Sequence, residues 1–290
     1  MFLTFAAVEA GIIPELKKSC VRDGGFIHVP NDFKTLDGAV QWINGYNKLD
    51  HRIINASVST IVVGKGTHKV KGIKLNSKGG TDNSLHAYSA MNIVGDPMVA
   101  KKDILVVGFI EFEKGIKGNC HLQNLTVKGG VLAKSSFTMQ DVVVKDGSSD
   151  GVAVYGKNVQ GILTNVEISN CKESGVGAYQ GASITLLGKT NVEKNCQDGD
   201  MDDDCYGLVV DGTTAIIQVV SPLTIKSVSH GNYHGNFGAV DRKRGRANIK
   251  TQIVELNRDT NIVKNIIKKA KESMEAAKVA VAIPYKDTDN

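Results

Sequence analysis

The 290-residue sequence predicts an all-β solenoid, a stack of short strands closed by a helix at each end. Three observations carry that expectation. Asp141-Val142-Val143-Val144 is answered 24 residues later by Asn165-Val166-Glu167-Ile168, and at the same offset Asp146 meets Asn170, Gly151-Val152 meets Gly175-Val176, Tyr155 meets Tyr179 and Ile162 meets Leu186. A third pass opens at Asn191-Val192 with an offset of 26, and Asn170-Cys171 returns as Asn195-Cys196 at 25. Finally, 31 glycines stand against five prolines, which suits a chain that bends often, because glycine reaches positive φ without steric cost and Asn and Asp tolerate it. A period in the mid-twenties written in short β-rich runs is the pattern of stacked coils. Each coil buries its apolar face against its neighbours, so one unit can absorb most of the chain.

Composition bounds the partners. The net charge of +5 is mild and spread along the chain, which gives no argument for specific nucleic-acid binding. No run of 18 apolar residues is present, so no membrane span is expected. Met1 to Val8 is apolar, but it lacks a basic start and Glu9 interrupts it, so secretion is not expected. The five cysteines form no CxxC and no zinc spacing, and read as reduced thiols in a cytosol-like compartment. Cys171 and Cys196, on adjacent coils, are the one pair placed for a disulfide.

The elements follow in order, in three parts: an N-terminal segment and helix over 1–57, the solenoid over 58–256, and a C-terminal helix and tail over 257–290. Asn31 or Asp32 can cap a helix that carries Phe33, Leu36, Val40 and Ile43 at helical spacing and stops at Asn44-Gly45. It reads as a lid over the open end of the stack, with Trp42 as a plug. The first confident strand is 58–63. Residues 68–75 alternate apolar with basic, which turns Lys69, Lys71 and Lys74 outward. Strands follow at 91–94, 104–107, 109–112, 122–127 and 137–144, then through the repeat. Asn170 and Asn195, read as equivalent bends, are expected to bond side chain to side chain along the stack. At about 4.8 Å per coil, near eight coils span roughly 40 Å. Residues 197–204 are inserted, since Gly175 and Gly207 are 32 apart. Asp259-Thr260 caps a last helix whose apolar stripe includes Ile262, Ile266, Ile267 and Met274, and Pro284 ends it. That stripe has three uses: packing as a second lid or along the solenoid, docking to a protein partner, or lying on an acidic membrane surface.

Residues 33–40 (FKTLDGAV) and 60–68 (TIVVGKGTH) resemble the lead-in of right-handed parallel β-helix proteins such as pectin esterases and phage tailspikes. Residues 89–97 (SAMNIVGDP), 118–125 (GNCHLQNL), 136–139 (SFTM), 181–186 (GASITL) and 220–224 (VSPLT) are similar to a β-helix family of unicellular algae and their large DNA viruses. The resemblance covers roughly residues 33–255. It implies a right-handed parallel β-helix with no assigned reaction, and a minor capsid or other virion component. The virion or the host cytoplasm is then the expected location.

Candidate chemistry lies where the repeat is broken. Asp198, Asp200, Asp202, Asp203 and Asp204 offer oxygen ligands that suit Ca²⁺. The loop departs from an EF-hand, because position six is Asp203 and position twelve is Val209. Calcium is the one cofactor this loop suggests; otherwise none is expected. Arg242, Lys243, Arg244 and Arg246 form a basic bend suited to phosphate or carboxylate groups, or to a partner. Asp202-Asp203, His230-Gly231 and Arg242-Lys243-Arg244 supply the residue types of a polygalacturonase but not its spacing. An inverting hydrolase must also hold two carboxyls about 6.5–9.5 Å apart, which a glycine-flanked loop is badly placed to do. The expected function is therefore a non-catalytic structural or interaction protein that meets other proteins through its C-terminal helix and lateral loops. The alternative is a carbohydrate-active β-helix: an acidic-polysaccharide lyase, a hydrolase or a binding module.

Overall fold

The computed structural model describes residues 26–49, 60–71, 83–197, 205–240 and 252–281. Its strands form three parallel sheets of nine, seven and seven strands. The first sheet runs from Phe26–Val29 through Thr60–Val63, Asn92–Gly95, Cys120–Gln123, Phe137–Gln140, Gln160–Thr164, Ser183–Leu187 and Ile216–Val220 to Ile253–Leu256. The second runs from Gly66–Lys69 through strands including Val143–Lys145 and Glu167–Ser169 to Ser229–His230. The third runs from Ser84–Ala87 through Phe109–Phe112, Val131–Ala133, Val152–Tyr155, Val176–Tyr179 and Leu208–Asp211 to Phe237–Val240. Among the described residues, the strands from Thr60–Val63 to Ile253–Leu256 fall in the first, second and third sheet in strict rotation. This arrangement is compatible with a parallel β-solenoid. The first sheet also takes in a strand from before residue 58, because Phe26–Val29 pairs with Thr60–Val63.

The 24-residue register holds where the sequence repeats. Val143 stands opposite Glu167, Val152 opposite Val176 and Tyr155 opposite Tyr179. Two expectations of register are corrected. Asn191 pairs with Glu167, so the third pass keeps an offset of 24 in the second sheet. Ile162 faces Thr185, while Leu163 faces Leu186. Bends absorb the difference. Asn124, Asp141 and Asn165 turn the chain out of the first sheet, and Asp146, Asn170 and Lys194 turn it out of the second, all at positive φ. The equivalent of Asn170 is thus Lys194. Asn195 sits one residue later, and the expected Asn170–Asn195 ladder is replaced by two others. Asn165 Nδ2 donates to Asp141 Oδ1 at 3.0 Å, and buried Asn195 donates from Nδ2 to Asn232 Oδ1 at 3.0 Å.

One core lies between the sheets. Ile61, Ile93, Leu122, Met139, Leu163, Leu186 and Val219 follow one another across the first sheet, all buried. Phe112 and Phe137 are fully buried with ring centroids 5.7 Å apart. Gly161 makes room for them, since a Cβ there would come 2.9 Å from Phe137 Cε1.

Helix α1 (Leu36–Leu49) buries Leu36, Ala39, Val40 and Ile43, and lies against the strands that begin the first and third sheets. That position is compatible with the expected lid. Trp42 is half-buried beside Phe33, with ring centroids 6.1 Å apart. The helix begins later than expected: Thr35 Oγ1 accepts the Gly38 N–H at 3.2 Å. It also continues through Asn44-Gly45, because Asn44 has tertiary partners. Its Nδ2 donates to His86 O at 2.8 Å and its Oδ1 accepts from Tyr88 N–H at 2.9 Å. A short helix, α2 (Ile225–Val228), is closed by a capping box at Thr224, and Glu255 Oε1 accepts the Ile225 N–H at 2.7 Å.

Helix α3 (Asn261–Val281) takes the lateral one of the two packings expected within this chain, and does not cap an end. It lies along the outer face of the first sheet, touching Thr60–Val63, Cys120–Gln123 and Phe137–Gln140. Side chains alternate across a strand. Ile162 therefore points away from the core that Leu163 enters, Leu187 away from Leu186, and Val220 away from Val219. Those three outward apolar groups draw the helix sideways.

Candidate functional site

The outer face of the first sheet, under α3, is the candidate site. Thr260 Oγ1 caps the helix, accepting from Val263 N–H at 3.4 Å. Val263 is fully buried against Ile162, Leu187 and Val220, with Leu256, Ile266, Ile267 and Ala270 partly buried around them. The four residues of the expected docking stripe are therefore divided. Ile266 and Ile267 face this chain's own sheet, Met274 lines a crevice of about 210 Å³ with Thr164 and Leu187, and Ile262 stays 66% exposed.

The second half of the helix stands over different ground. Reading one outward row strand by strand gives Thr60, Asn92, His121, Thr138, Ile162, Thr185 and Gln218. The early part of that row is polar. There the sheet and helix are separated by a cleft of about 700 Å³, lined by Asn92, Asn119, His121, Ser136, Thr138, Asn158 and Gln160 below and by Lys269, Glu272 and Ser273 above. Asn92 Nδ2 donates to Thr60 Oγ1 at 3.0 Å. His121 is 2% exposed, with Nδ1 2.6 Å from Thr138 Oγ1 and Nε2 3.1 Å from Gln123 Oε1. An amide oxygen only accepts, so Nε2 carries the proton and Nδ1 accepts from the Thr138 hydroxyl. Burial pulls the His121 pKa down, against the opposing pull of Gln123. The imidazole is thus held neutral. The cleft offers amide and hydroxyl groups with one cation and one anion at its rim, which suits an uncharged polar ligand.

The third sheet is finished differently. Tyr155 stacks on Tyr179 with centroids 4.6 Å apart and planes 15° from parallel. Tyr179 lies over Gly177, where any side chain would run into its ring. Its hydroxyl donates to Asp150 Oδ2 at 2.7 Å, and Asp150 Oδ1 accepts from Ser174 N–H at 2.9 Å. Burial, and then the Asp150 charge, push the Tyr179 pKa well above the usual phenol value.

Asp198, Asp200, Asp202 and Asp204 lie outside the described residues, as do Arg242, Lys243, Arg244 and Arg246. The flanks of the acidic insertion are described. Val176 pairs with Leu208, so the offset of 32 is real and the insertion leaves the register intact. Cys196 and Cys205 form a disulfide across it, with Cα atoms 5.8 Å apart. This corrects the expectation of reduced thiols, and Cys196 pairs with Cys205 rather than with Cys171. Cys120 and Cys171 are free and buried, and burial pushes their thiols up to about 12 and about 11. His230 Nδ1 lies 3.8 Å from Glu193 Oε2.

Sequence reasoning missed Asn92, His121 and Thr138 as a group. Their signal is visible once the register is known, because all three occupy one outward row on successive strands. Among the described residues no helix is long and apolar enough to cross a membrane. No family model, curated protein or solved structure matches the chain.

Proposed function

We propose that the chain is a non-catalytic structural or interaction protein, a right-handed parallel β-helix of about eight coils that contacts neighbouring proteins as a minor component of a large assembly such as a virion. The observation that supports this reading is the rotation of the described strands through three parallel sheets, from Thr60 to Leu256, around one shared core. Every strand within such a stack is paired on both sides, so the body is rigid and its lateral faces are flat. A rigid body with flat faces suits contact with several neighbours better than closure around a substrate. Cross-linking mass spectrometry on isolated particles and on host lysate tests the reading. Cross-links from the exposed Lys264, Lys268 and Lys271 to one defined neighbour, with co-sedimentation, are expected. A protein that sediments as a free monomer under all conditions of expression overturns it.

A second reading, a carbohydrate-binding module, is favoured by the cleft over Asn92, His121 and Thr138, whose amides and hydroxyls match the donors and acceptors of sugar hydroxyls. Calorimetric titration with neutral and acidic oligosaccharides tests it. Saturable binding lost in Asn92→Ala supports it, and binding unchanged by that substitution removes it.

A further inference from the structure

We propose that His86, Glu111 and Glu113 form a binding site for a divalent transition metal on the outer face of the third sheet, with Zn²⁺ as the ion its donors fit. The proposal is independent of the assembly reading. His86 and Glu111 stand opposite each other on adjacent parallel strands, and Glu113 follows Glu111 by two residues, on the same face. His86 Nδ1 lies 2.8 Å from Glu113 Oε1 and 3.9 Å from Glu111 Oε2, and the three ligand atoms all lie within 4.8 Å of one another. A tetrahedral ion with bonds of about 2.0–2.1 Å holds its donors about 3.3 Å apart, between the two distances from the imidazole. Small rotations of two carboxylates complete the fit. One imidazole with two carboxylates is also a donor set that Ca²⁺ and Mg²⁺ do not select, since both prefer oxygen alone.

The donors are held in place before any ion arrives. Asn44 of α1 brackets the His86 peptide, binding His86 O and Tyr88 N–H. Glu113 N–H donates to Ala87 O at 2.9 Å, and Glu113 O accepts from Ser135 Oγ at 2.6 Å. The Tyr88 ring stacks near the imidazole, 6.2 Å between centroids and 18° between planes. The His86 and glutamate side chains are only 10% and 17% exposed, so much of their water has already been removed.

A cation is already present. Lys134 Nζ lies 3.2 Å from Glu113 Oε2 and 3.6 Å from Glu111 Oε2. One ammonium thus stands against two carboxylates at the edge of the site. Burial alone would raise the Glu113 pKa, but hydrogen bonds from His86 and Lys134 outweigh it and hold the carboxyl below its usual range. Lys134 is 39% exposed, and its long stem lets the ammonium swing into water when a dication takes its place.

Titration calorimetry of the full chain, stripped with chelator and titrated with Zn²⁺ alone, tests the proposal, together with melting curves with and without the ion. One zinc per chain is expected. Glu113→Gln, which keeps the shape, and His86→Ala weaken binding about tenfold or more, while Lys134→Met strengthens it about tenfold by removing the competitor. Zinc also raises the melting temperature of the wild type and of Lys134→Met, but not of Glu113→Gln. If His86→Ala does not fold, the other two variants carry the test. Zinc affinity unchanged in Glu113→Gln, which would mean adventitious binding at other histidines, overturns the proposal. So does the absence of binding in both wild type and Lys134→Met.

Discussion

On the first sheet the outward groups Ile162, Leu187 and Val220 are covered by a separate helix, whereas on the third sheet Tyr155, Tyr179 and Gly177 cover one another. Both faces rest on the same parallel register and the same core. The difference lies in what must break to expose them. The face under α3 opens when one helix leaves, and such local openings lie at the low-stability end of a fold. The tyrosine face belongs to the strands themselves, so it opens only when they separate. A ligand that needs a surface to open would find it under α3, and a ligand that needs a fixed surface would find it on the third sheet.

Three experiments can break or sharpen this contrast. Val263→Asp should have the largest effect. It puts a charge among Ile162, Leu187 and Val220, and it removes a fully buried side chain worth about 1.5–3 kcal/mol. The helix should leave the sheet: hydrogen exchange should then be fast over α3 and unchanged over Gln160–Thr164. Equal loss of protection in the strands would show that the two faces unfold together.

Asp150→Asn should cost less, about 1–2 kcal/mol, because an amide still accepts from Tyr179 but without the charge. It should be felt as global instability in denaturant, with no local opening. The same contact fixes the alkaline behaviour. Tyr179 has a raised pKa when folded, so its contribution is complete below about pH 10, the unfolded phenol value, and is lost as pH rises further. Asp150→Asn should leave part of that decline, since burial is the larger cause. Unfolding free energies on either side of about pH 10 measure it.

The smallest effect is expected at His121. Its pKa is lowered when folded, so above about pH 6.5 both states are neutral and nothing is gained. As pH falls below that value the unfolded imidazole takes a proton first, and stability declines by at most about 1.4 kcal/mol per pH unit. His121→Gln should flatten the acid limb. An acid limb identical in the two proteins would show that His121 is not held neutral under the helix.

The repeat between Asp141 and Tyr179 was legible because neighbours in a parallel sheet share one register, and a register is written directly as an offset. Bends are less legible. Asn170 and Lys194 take the same left-handed turn although only one has the expected side chain, so the backbone position mattered more than the residue type. Asn44-Gly45 misled for a related reason. Both residues are common helix stops, yet Asn44 spends its polar groups on His86 and Tyr88, partners some forty residues away. The placement of α3 was legible only in part. Its apolar stripe announced burial, but the surface that receives it is an outward patch assembled from Ile162, Leu187 and Val220 on three strands, which no local pattern connects. The cleft lies on the same outer face and was hidden with it. The disulfide joins two cysteines nine apart across an insertion, while the repeat directed attention to Cys171.

The insertion itself has a practical meaning. Cys196 and Cys205 bracket it with Cα atoms 5.8 Å apart, and Val176 still finds Leu208. Segment length between those two cysteines is therefore decoupled from the register of the strands. A foreign peptide could replace residues 198–204 without asking the scaffold to adjust, which makes this point a natural graft site for displaying an epitope or a tag.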